Sequence, residues 1–352
     1  MFTYNSLKKI LFLLDPETAH TLVEFCLKFV QKFPFLLRIF KKLFLIQDNK
    51  LNQEILGMKF TNPLGLGAGF DKNATMLDAT LGLGFSFSEI GTFTPKAQAG
   101  NAKPRLFRHI KEQSLQNAMG FNNLGKDYVK RNILKRKESS LVLGVNIGKN
   151  KATSQENALK DYLILIKEFS NICDYLCINI SSPNTKGLRD LQNIDFIKNL
   201  FTDARKLSEK PIFLKISPDM SSKKALEICK CAIKYGASGI VATNTTVDYS
   251  LVKNAKDFGG LSGEVLREKS YIFFKELANE LYGKTILISV GGINSYEEAY
   301  KRLKAGASLL QVFTGFIYKG PNLQKNINQG ILKLMKKDGF KNIKEVIGSD
   351  LK

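Results

Sequence analysis

The chain has 352 residues, 44% of them hydrophobic and 24% charged. That is a globular composition, long enough for one α/β barrel of roughly 250 residues plus an appendage or for two ordinary domains. A formal net charge of +21 invites an anionic partner, but the excess is spread along the chain with no run of like charges, no finger spacing and no basic low-complexity tail, so no nucleic acid is expected.

The first fifty residues hold eight of the 25 phenylalanines and eight basic against four acidic side chains. Lys, Glu or Arg interrupts every apolar stretch well before the roughly 18 residues a membrane span requires, and the pattern of a signal peptide is missing. Asp15-Pro16-Glu17 reads as a helix start, with Asp15 as N-cap and proline in the first turn. Ala19, Leu22, Val23, Cys26, Phe29, Val30 and Phe33 then recur at helical spacing. Pro34 breaks the pattern, and Leu36, Ile39, Phe40, Leu43 and Phe44 restore it. The expectation for residues 1–46 is two amphipathic helices with basic flanks. They suit a membrane-interface anchor or docking on the main domain as ordinary core, and the residues leave both open.

From residue 51 to 352 short β-branched runs alternate with helical patterns. Strands are expected at 64–68, 87–92, 141–147, 175–180, 212–216, 239–244, 285–291 and 309–314. Helices are expected at 157–169, 195–207, 223–235, 271–281 and 296–305. Eight strands with helical crossovers give an α/β fold, the (β/α)8 TIM barrel. A doubly wound sheet would carry a G-x-G-x-x-G after its first strand, and Gly65, Gly67 and Gly69 are spaced differently. The five cysteines are odd in number, form no C-x-x-C pair and lie in apolar segments, which reads as buried thiols, Cys177 and Cys231 included, in a reducing compartment. With His20 and His109 as the histidines, no metal centre is expected.

The strand ends are more informative. They carry Asp71-Lys72, Thr92, Asn146, Asn179 followed by Ser181 and Ser182, Lys215, Thr243-Asn244-Thr245, Gly291-Gly292 and Phe313-Thr314. Polar side chains at the C-terminal ends of barrel strands converge on one mouth. Gly291-Gly292 and Gly315 fit a phosphate site, helped by the helix start at Asn294-Ser295. The segment Gly144 to Asn150 has the wrong spacing for a P-loop. With no carboxylate pair or histidine dyad at the mouth, the chemistry falls to a bound cofactor. Flavin mononucleotide (FMN) matches, with its phosphate at the loops after strands 7 and 8. Lys215 then either stabilises the N1 region of the reduced flavin or forms a structural ion pair.

These residues fall in longer motifs: Asn62-Pro63-Leu64-Gly65-Leu66-Gly67-Ala68-Gly69-Phe70-Asp71-Lys72, Lys103-Pro104-Arg105-Leu106-Phe107-Arg108, Met119-Gly120-Phe121-Asn122-Asn123, Asn179-Ile180-Ser181-Ser182-Pro183-Asn184-Thr185, Ala242-Thr243-Asn244-Thr245 and Val290-Gly291-Gly292-Ile293. Taken in order over the whole chain, they resemble the class 2, quinone-dependent dihydroorotate dehydrogenases.

The resemblance implies FMN-dependent oxidation of (S)-dihydroorotate to orotate, the fourth step of pyrimidine (UMP) biosynthesis, with a membrane quinone as electron acceptor. Ser182 is then the base at C5, with Thr185 or Thr94 as candidate relay, and hydride passes from C6 to flavin N5. A lone serine hydroxyl is a weak base and requires such neighbours. Substrate contacts are implied for Lys72, Asn117, Ala118, Met119, Gly120, Phe121, Asn184, Asn244 and Thr245. Cofactor contacts are implied for Ala68, Gly69, Phe70, Asp71, Lys72, Thr92, Asn146, Asn179, Lys215, Thr243, Gly263, Gly292, Phe313 and Thr314. His20 and Arg108 fall at the quinone headgroup. Ala118 stands where the family often has Arg, and Phe313 where Tyr is common. Residues 1–46 become a quinone tunnel docked on anionic lipid, on the cytoplasmic side of a bacterial inner membrane, in a monomer. The alternative is a soluble flavin-barrel oxidoreductase of class 1 type using another acceptor.

Overall fold

A computed structural model describes residues 4–137 and 140–351. The two expected segments, 1–46 and 51–352, also take in residues 1–3, 138, 139 and 352, which lie outside the described residues.

The chain opens with α1 (Tyr4–Leu13), α2 (Pro16–Lys32) and α3 (Pro34–Phe44). Helices α2 and α3 are the two anticipated from the sequence, and Asp15 caps α2 by accepting from the N–H groups of Glu17 and Thr18. Helix α1 is additional. Its ten residues carry no cap signal, no proline and no buried side chain, so neither punctuation nor burial announces it.

A hairpin, β1 (Gln53–Ile55) and β2 (Met58–Phe60), leads into β3 (Leu64–Leu66), α4 (Leu77–Gly82) and β4 (Phe87–Phe93). Then come β5 (Leu106–His109), β6 (Ser114–Asn117), α5 (Lys126–Leu134), β7 (Val142–Ile147), α6 (Ala158–Phe169), β8 (Tyr175–Asn179), α7 (Ile194–Leu207) and β9 (Ile212–Ile216). The remainder is α8 (Ser222–Lys234), β10 (Gly239–Ala242), β11 (Gly260–Gly263), α9 (Arg267–Leu281), β12 (Ile286–Val290), α10 (Tyr296–Lys304), β13 (Leu309–Val312), α11 (Thr314–Lys319), α12 (Asn322–Asp338) and α13 (Ile343–Val346). Strands β3, β4, β7, β8, β9, β10, β12 and β13 pair in that order and close into a parallel barrel, the (β/α)8 fold expected from the alternation.

The lower lumen is packed by Phe60, Phe87, Tyr175, Phe213, Val241 and Ile288. Glycines make room for the rings: a Cβ on Gly65 would lie 2.4 Å from the Phe87 ring, and one on Gly239 would lie 2.1 Å from that of Phe213. Each such ring contributes about 1.5–3 kcal/mol through burial and seals the floor, which leaves the C-terminal mouth as the open end.

The long segments that follow β4 and β10 pair with each other. Strands β5, β6 and β11 form an antiparallel sheet beside the mouth. Helix α2 packs against α3, α4 and β5, with Ala19 and Leu27 buried. Glu24 accepts from the Thr75 hydroxyl at 2.7 Å and Gln31 donates to the Thr75 carbonyl at 2.6 Å. The opposite faces stay bare, with Leu13 87%, Phe25 66% and Phe35 57% exposed. Docking on the barrel, one of the two readings left open for this segment, thus holds for its inner side, and the outer side is bare. Among the described residues no helix is long and apolar enough to cross a membrane.

Candidate active site

Above the aromatic floor, inward-pointing strand positions turn polar. Glu89 on β4 accepts from Asn146 Nδ2 at 2.7 Å and Gln311 Nε2 at 2.8 Å, and its Oε1 lies 3.3 Å from Lys215 Nζ. Glu89 and Lys215 are both buried, so this is a desolvated ion pair held by surrounding amides. One step nearer the mouth, Thr92 donates to Asn146 Oδ1 at 2.5 Å, and Asn179 Nδ2 bridges Thr92 Oγ1 and Asn146 Oδ1 at 3.0 and 3.1 Å. Asn244 Nδ2 then reaches Asn179 Oδ1 at 3.2 Å and Ser181 Oγ at 3.0 Å. Side chains from β4, β7, β8 and the ends of β9 and β10 are thereby fixed in one sheet of hydrogen bonds.

Ser182 lies in the loop after β8, and its Oγ accepts from the Asn184 N–H at 3.2 Å, a bond that favours developing negative charge on that oxygen. Asn184 Nδ2 donates to Asn117 Oδ1 at 2.9 Å, while Asn184 Oδ1 and Asn122 Oδ1 are buried without a partner. Buried amide oxygens without donors are rare in native interiors, and both residues line the same cavity. Thr94 Oγ1 is engaged by Lys96 O and Asn123 Nδ2, whereas Thr185 Oγ1 is buried with no partner. From behind, Arg189 donates to Ser181 O and Thr245 O, each at 3.0 Å, and pairs with Asp219 at 2.9 Å.

Lys72 is aimed by its neighbour. The Asp71 carboxylate accepts from the N–H groups of Asn73, Thr75 and Met76 and closes the turn after β3. Burial pushes the Lys72 ammonium down to about 8, against the pull of Glu24, Glu17 and Asp71. Burial, with the nearby Lys72 charge, likewise takes His20 down to about 3, so the imidazole is neutral at physiological pH. It stands edge-on to Phe70 with 5.3 Å between ring centroids.

On the far side, Gly263, Gly291, Gly292 and Gly315 line a cradle. A Cβ on Gly292, where φ is +74°, would meet the Arg267 backbone at 2.3 Å, and one on Gly315 would meet Ile293 O at 2.5 Å. The helix start expected to help here does not face the cradle openly: Ser295 caps α10 and Asn294 is bound to Glu264. Instead α11 begins at Thr314 with no side-chain cap, leaving its first N–H groups at the cradle.

These parts line one cavity of about 640 Å³ that runs from Ser182, Lys215 and Asn244 out between Leu7, Leu11, His20 and Phe40 of the N-terminal helices. Its size suits an organic cofactor and a small substrate. FMN fits the residues present: a glycine cradle with free N–H donors for phosphate, Lys215 for ring charge, and the unpartnered Gln311 Oε1 as an acceptor at the floor.

Of the catalytic, substrate, cofactor and quinone residues implied by the resemblance, all line this cavity except Asp71, Ala118 and Asn146; the candidate relays Thr94 and Thr185, and Ser181, Asn294 and Ser295, lie behind its wall. Asp71 is spent on its own turn. Asn146 is turned into the Glu89–Thr92–Asn179 network. Ala118 is held through its backbone, its N–H on Arg105 O at 2.8 Å and its carbonyl on Asn101 Nδ2 at 2.9 Å. Arg108 lines the cavity but is also committed to α1, donating to Leu14 O at 2.7 Å with its guanidinium 4.6 Å from the Phe12 ring centroid. Sequence reasoning missed Glu89, Gln311, Asn122 and Arg189. The first two carry a legible signal, a polar residue at an inward strand position among β-branched and leucine neighbours. The cysteines are free thiols; Cys173, Cys177 and Cys229 are buried, Cys231 is partly buried and Cys26 is exposed.

The family model described as dihydroorotate dehydrogenase matches residues 50–335. The chain is 56% identical to dihydroorotate dehydrogenase (quinone) of a Nitratiruptor species, over 99% of both chains. It is 55% identical to the protein of the same name from a Sulfurovum species, over 100% of this chain and 99% of the relative. Among solved structures, a dihydroorotate dehydrogenase from Eimeria tenella in complex with ferulenol superposes with a TM-score of 0.87 at 34% identity, covering 97% of this chain and 98% of that one.

Proposed function

The chain belongs to the class 2, quinone-dependent dihydroorotate dehydrogenase family, and we propose that it oxidises (S)-dihydroorotate to orotate in UMP biosynthesis, passing the electrons to a membrane quinone. One observation carries the reading: a single cavity joins the polar barrel mouth at Ser182 to the half-bare apolar helices α1, α2 and α3, so a water-soluble substrate and a lipid-borne acceptor reach one centre from opposite ends.

Lys72 and the amides of Asn117, Asn184 and Asn244 hold the substrate's carboxylate and ring edge, with Thr245 and the Met119–Phe121 turn closing around it. Ser182 Oγ takes the C5 proton as its own hydroxyl proton leaves, the Asn184 N–H meeting the charge that builds on Oγ as that proton departs, and Thr185, whose buried hydroxyl is not spent on another partner, is the candidate relay for it. Bound FMN supplies the N5 acceptor for the C6 hydride and the redox path to quinone. Gly263, Gly292 and Thr314 would hold its phosphate, Lys215 would supply positive charge toward its ring, and Ala68 to Phe70, Thr92, Asn179, Thr243 and Phe313 would wall it in. At the outer end, neutral His20 and Arg108 meet the quinone headgroup. Residues 1–46 form this tunnel and 51–352 the catalytic barrel. The bare apolar face among basic residues supports peripheral docking on anionic lipid, at the cytoplasmic side of the bacterial inner membrane.

The test is anaerobic. Dihydroorotate bleaches the flavin of the holoenzyme, and quinone restores the colour while fumarate and NAD do not. Ser182→Ala retains flavin and slows bleaching about 10²–10⁴-fold. Full-rate bleaching by Ser182→Ala at neutral pH removes Ser182 as base, and equal reoxidation by fumarate or NAD removes quinone as acceptor.

A further inference from the structure

Glu17 sits in the first turn of α2, on the acceptor side of the molecule, yet its side chain points at the loop over the substrate pocket. Arg105 meets it fork to fork, Nε on Oε1 at 2.8 Å and Nη2 on Oε2 at 3.2 Å, and Lys103 adds a contact at 3.4 Å. The Arg105 side chain is 7% exposed and that of Glu17 16%, which makes this a largely desolvated pair. Against the upward push of burial, Arg105 and Lys103 hold the Glu17 carboxyl below its ordinary range.

The remaining arm of Arg105 organises a turn. Nη1 donates to Ala99 O at 2.6 Å and Asn101 O at 2.7 Å. Asn101, so held, donates through Nδ2 to Ala118 O at 2.9 Å and to Asn184 O at 3.0 Å. Tight packing leaves little slack: a Cβ on Gly100 would lie 2.2 Å from Met119 O, and one on Gly120 would lie 2.8 Å from Asn101. Three bonded steps therefore run from the N-terminal extension to the loop that carries Ser182 and Asn184.

We propose that Glu17 and Arg105 are positioning residues for dihydroorotate: docking of α2 on the barrel, through this pair, sets the 99–101 turn and with it the substrate loops at 117–121 and 182–184. The proposal rests on the substrate-site reading above. It gives the extension a role in the substrate half-reaction, in which no quinone takes part. A guanidinium is required because the carboxylate and two carbonyls are bound at once by one planar fork.

The holoenzyme tests it by two readouts, the orotate dissociation constant by calorimetry and the quinone KM. Glu17→Gln raises the orotate constant about tenfold, a size expected of coupling through a bonded chain, and leaves the quinone KM unmoved. Arg105→Lys, which keeps the charge but not the fork, does the same or more, and Glu17→Asp recovers most of the loss. Flavin content and the melting curve establish that each variant is folded. An unchanged orotate constant in folded Glu17→Gln overturns the proposal, as does a rise in quinone KM with or without a change in orotate binding, which would mark α2 as detached or as acting on quinone alone. Asn244→Ala is the control. If it leaves orotate binding intact, the substrate-site reading fails and the proposal fails with it; if it abolishes binding while Glu17→Gln does not, the proposal alone fails.

Discussion

Lys215 and Glu89 face each other just above the aromatic floor, Nζ 3.3 Å from Oε1, with the carboxylate inaccessible to solvent and the ammonium side chain 7% exposed. The ion pair and the cofactor role left as alternatives for Lys215 are compatible, because the same side chain also lines the cavity.

Removing one member leaves the other charged and buried, which costs about 3–5 kcal/mol. Lys215→Met is expected near the lower end, since Asn146 and Gln311 continue to donate to Glu89. Lys215→Met with Glu89→Gln recovers most of that stability but not FMN affinity. Urea unfolding of cofactor-free protein and a flavin titration measure the two separately, and equal stability of the single and double variants would show that the charges are uncoupled.

Lys72 gives a pH prediction. Its proton is lost near pH 8 in the folded protein and near its ordinary 10.5 once unfolded. Anionic orotate prefers the charged form, so affinity is level below about pH 8 and weakens toward tenfold per unit above it. Stability runs the other way: between pH 8 and 10.5 the unfolded chain binds more protons, so this group makes folding more favourable as pH rises. Loss of orotate binding above about pH 8 therefore cannot be ascribed to unfolding through this group. Lys72→Arg keeps its charge, and its orotate affinity should be flat from about pH 7 to about pH 9; a fall matching the wild type assigns the titration elsewhere.

The barrel was legible because parallel strands buried on both faces read as short apolar runs between amphipathic helices. The mouth was legible because chemistry collects at strand ends. Partnerships that cross the fold were not. Nothing around Glu89 in the sequence points to Lys215, 126 positions on, and Arg105 lies 88 positions from Glu17. The β5–β6–β11 sheet was missed because β11 (Gly260–Gly263) is glycine-rich and finds its partner more than 140 residues away. Helix α1 was missed because what holds it, contacts to Arg108, Ile317 and Tyr318, comes from far along the chain.

Arg189 holds Ser181 O and Thr245 O with two nitrogens of one plane, fixing the loop of the proposed base against the loop of the proposed substrate residues Asn244 and Thr245. A lysine ammonium cannot span both carbonyls while pairing with Asp219. Arg189→Lys is expected to lower the limiting rate of flavin bleaching about tenfold to a hundredfold, the scale of a misplaced reacting group, with FMN retained. Rapid mixing over a range of dihydroorotate concentrations checks it. A change confined to half-saturation, with the limiting rate intact, would leave Ser182 correctly set without Arg189.

Arg108 closes the C-terminal end of α1. Besides Leu14 O at 2.7 Å it reaches Phe12 O and Leu11 O at 3.4 Å, placing a cation where the helix dipole favours one, an effect of about 0.3–1 kcal/mol before the Phe12 ring contact is added. A ten-residue helix is marginal alone, and α1 is otherwise pinned by Tyr4 Oη on Ile317 O at 2.5 Å, Lys8 on Tyr318 O at 3.1 Å and the Phe12–Tyr318 ring contact. Arg108→Leu should therefore free α1, raise the quinone KM about tenfold and open a protease site before Asp15, while dihydroorotate still bleaches the flavin at the wild-type rate. Tyr4→Phe separates anchoring from direct contact, because it loosens the opposite end of α1 without touching Arg108. If anchoring dominates, both variants raise the quinone KM and both become protease-sensitive. If Arg108 acts on the quinone itself, Arg108→Leu raises the KM with α1 still protected, and Tyr4→Phe leaves it unchanged.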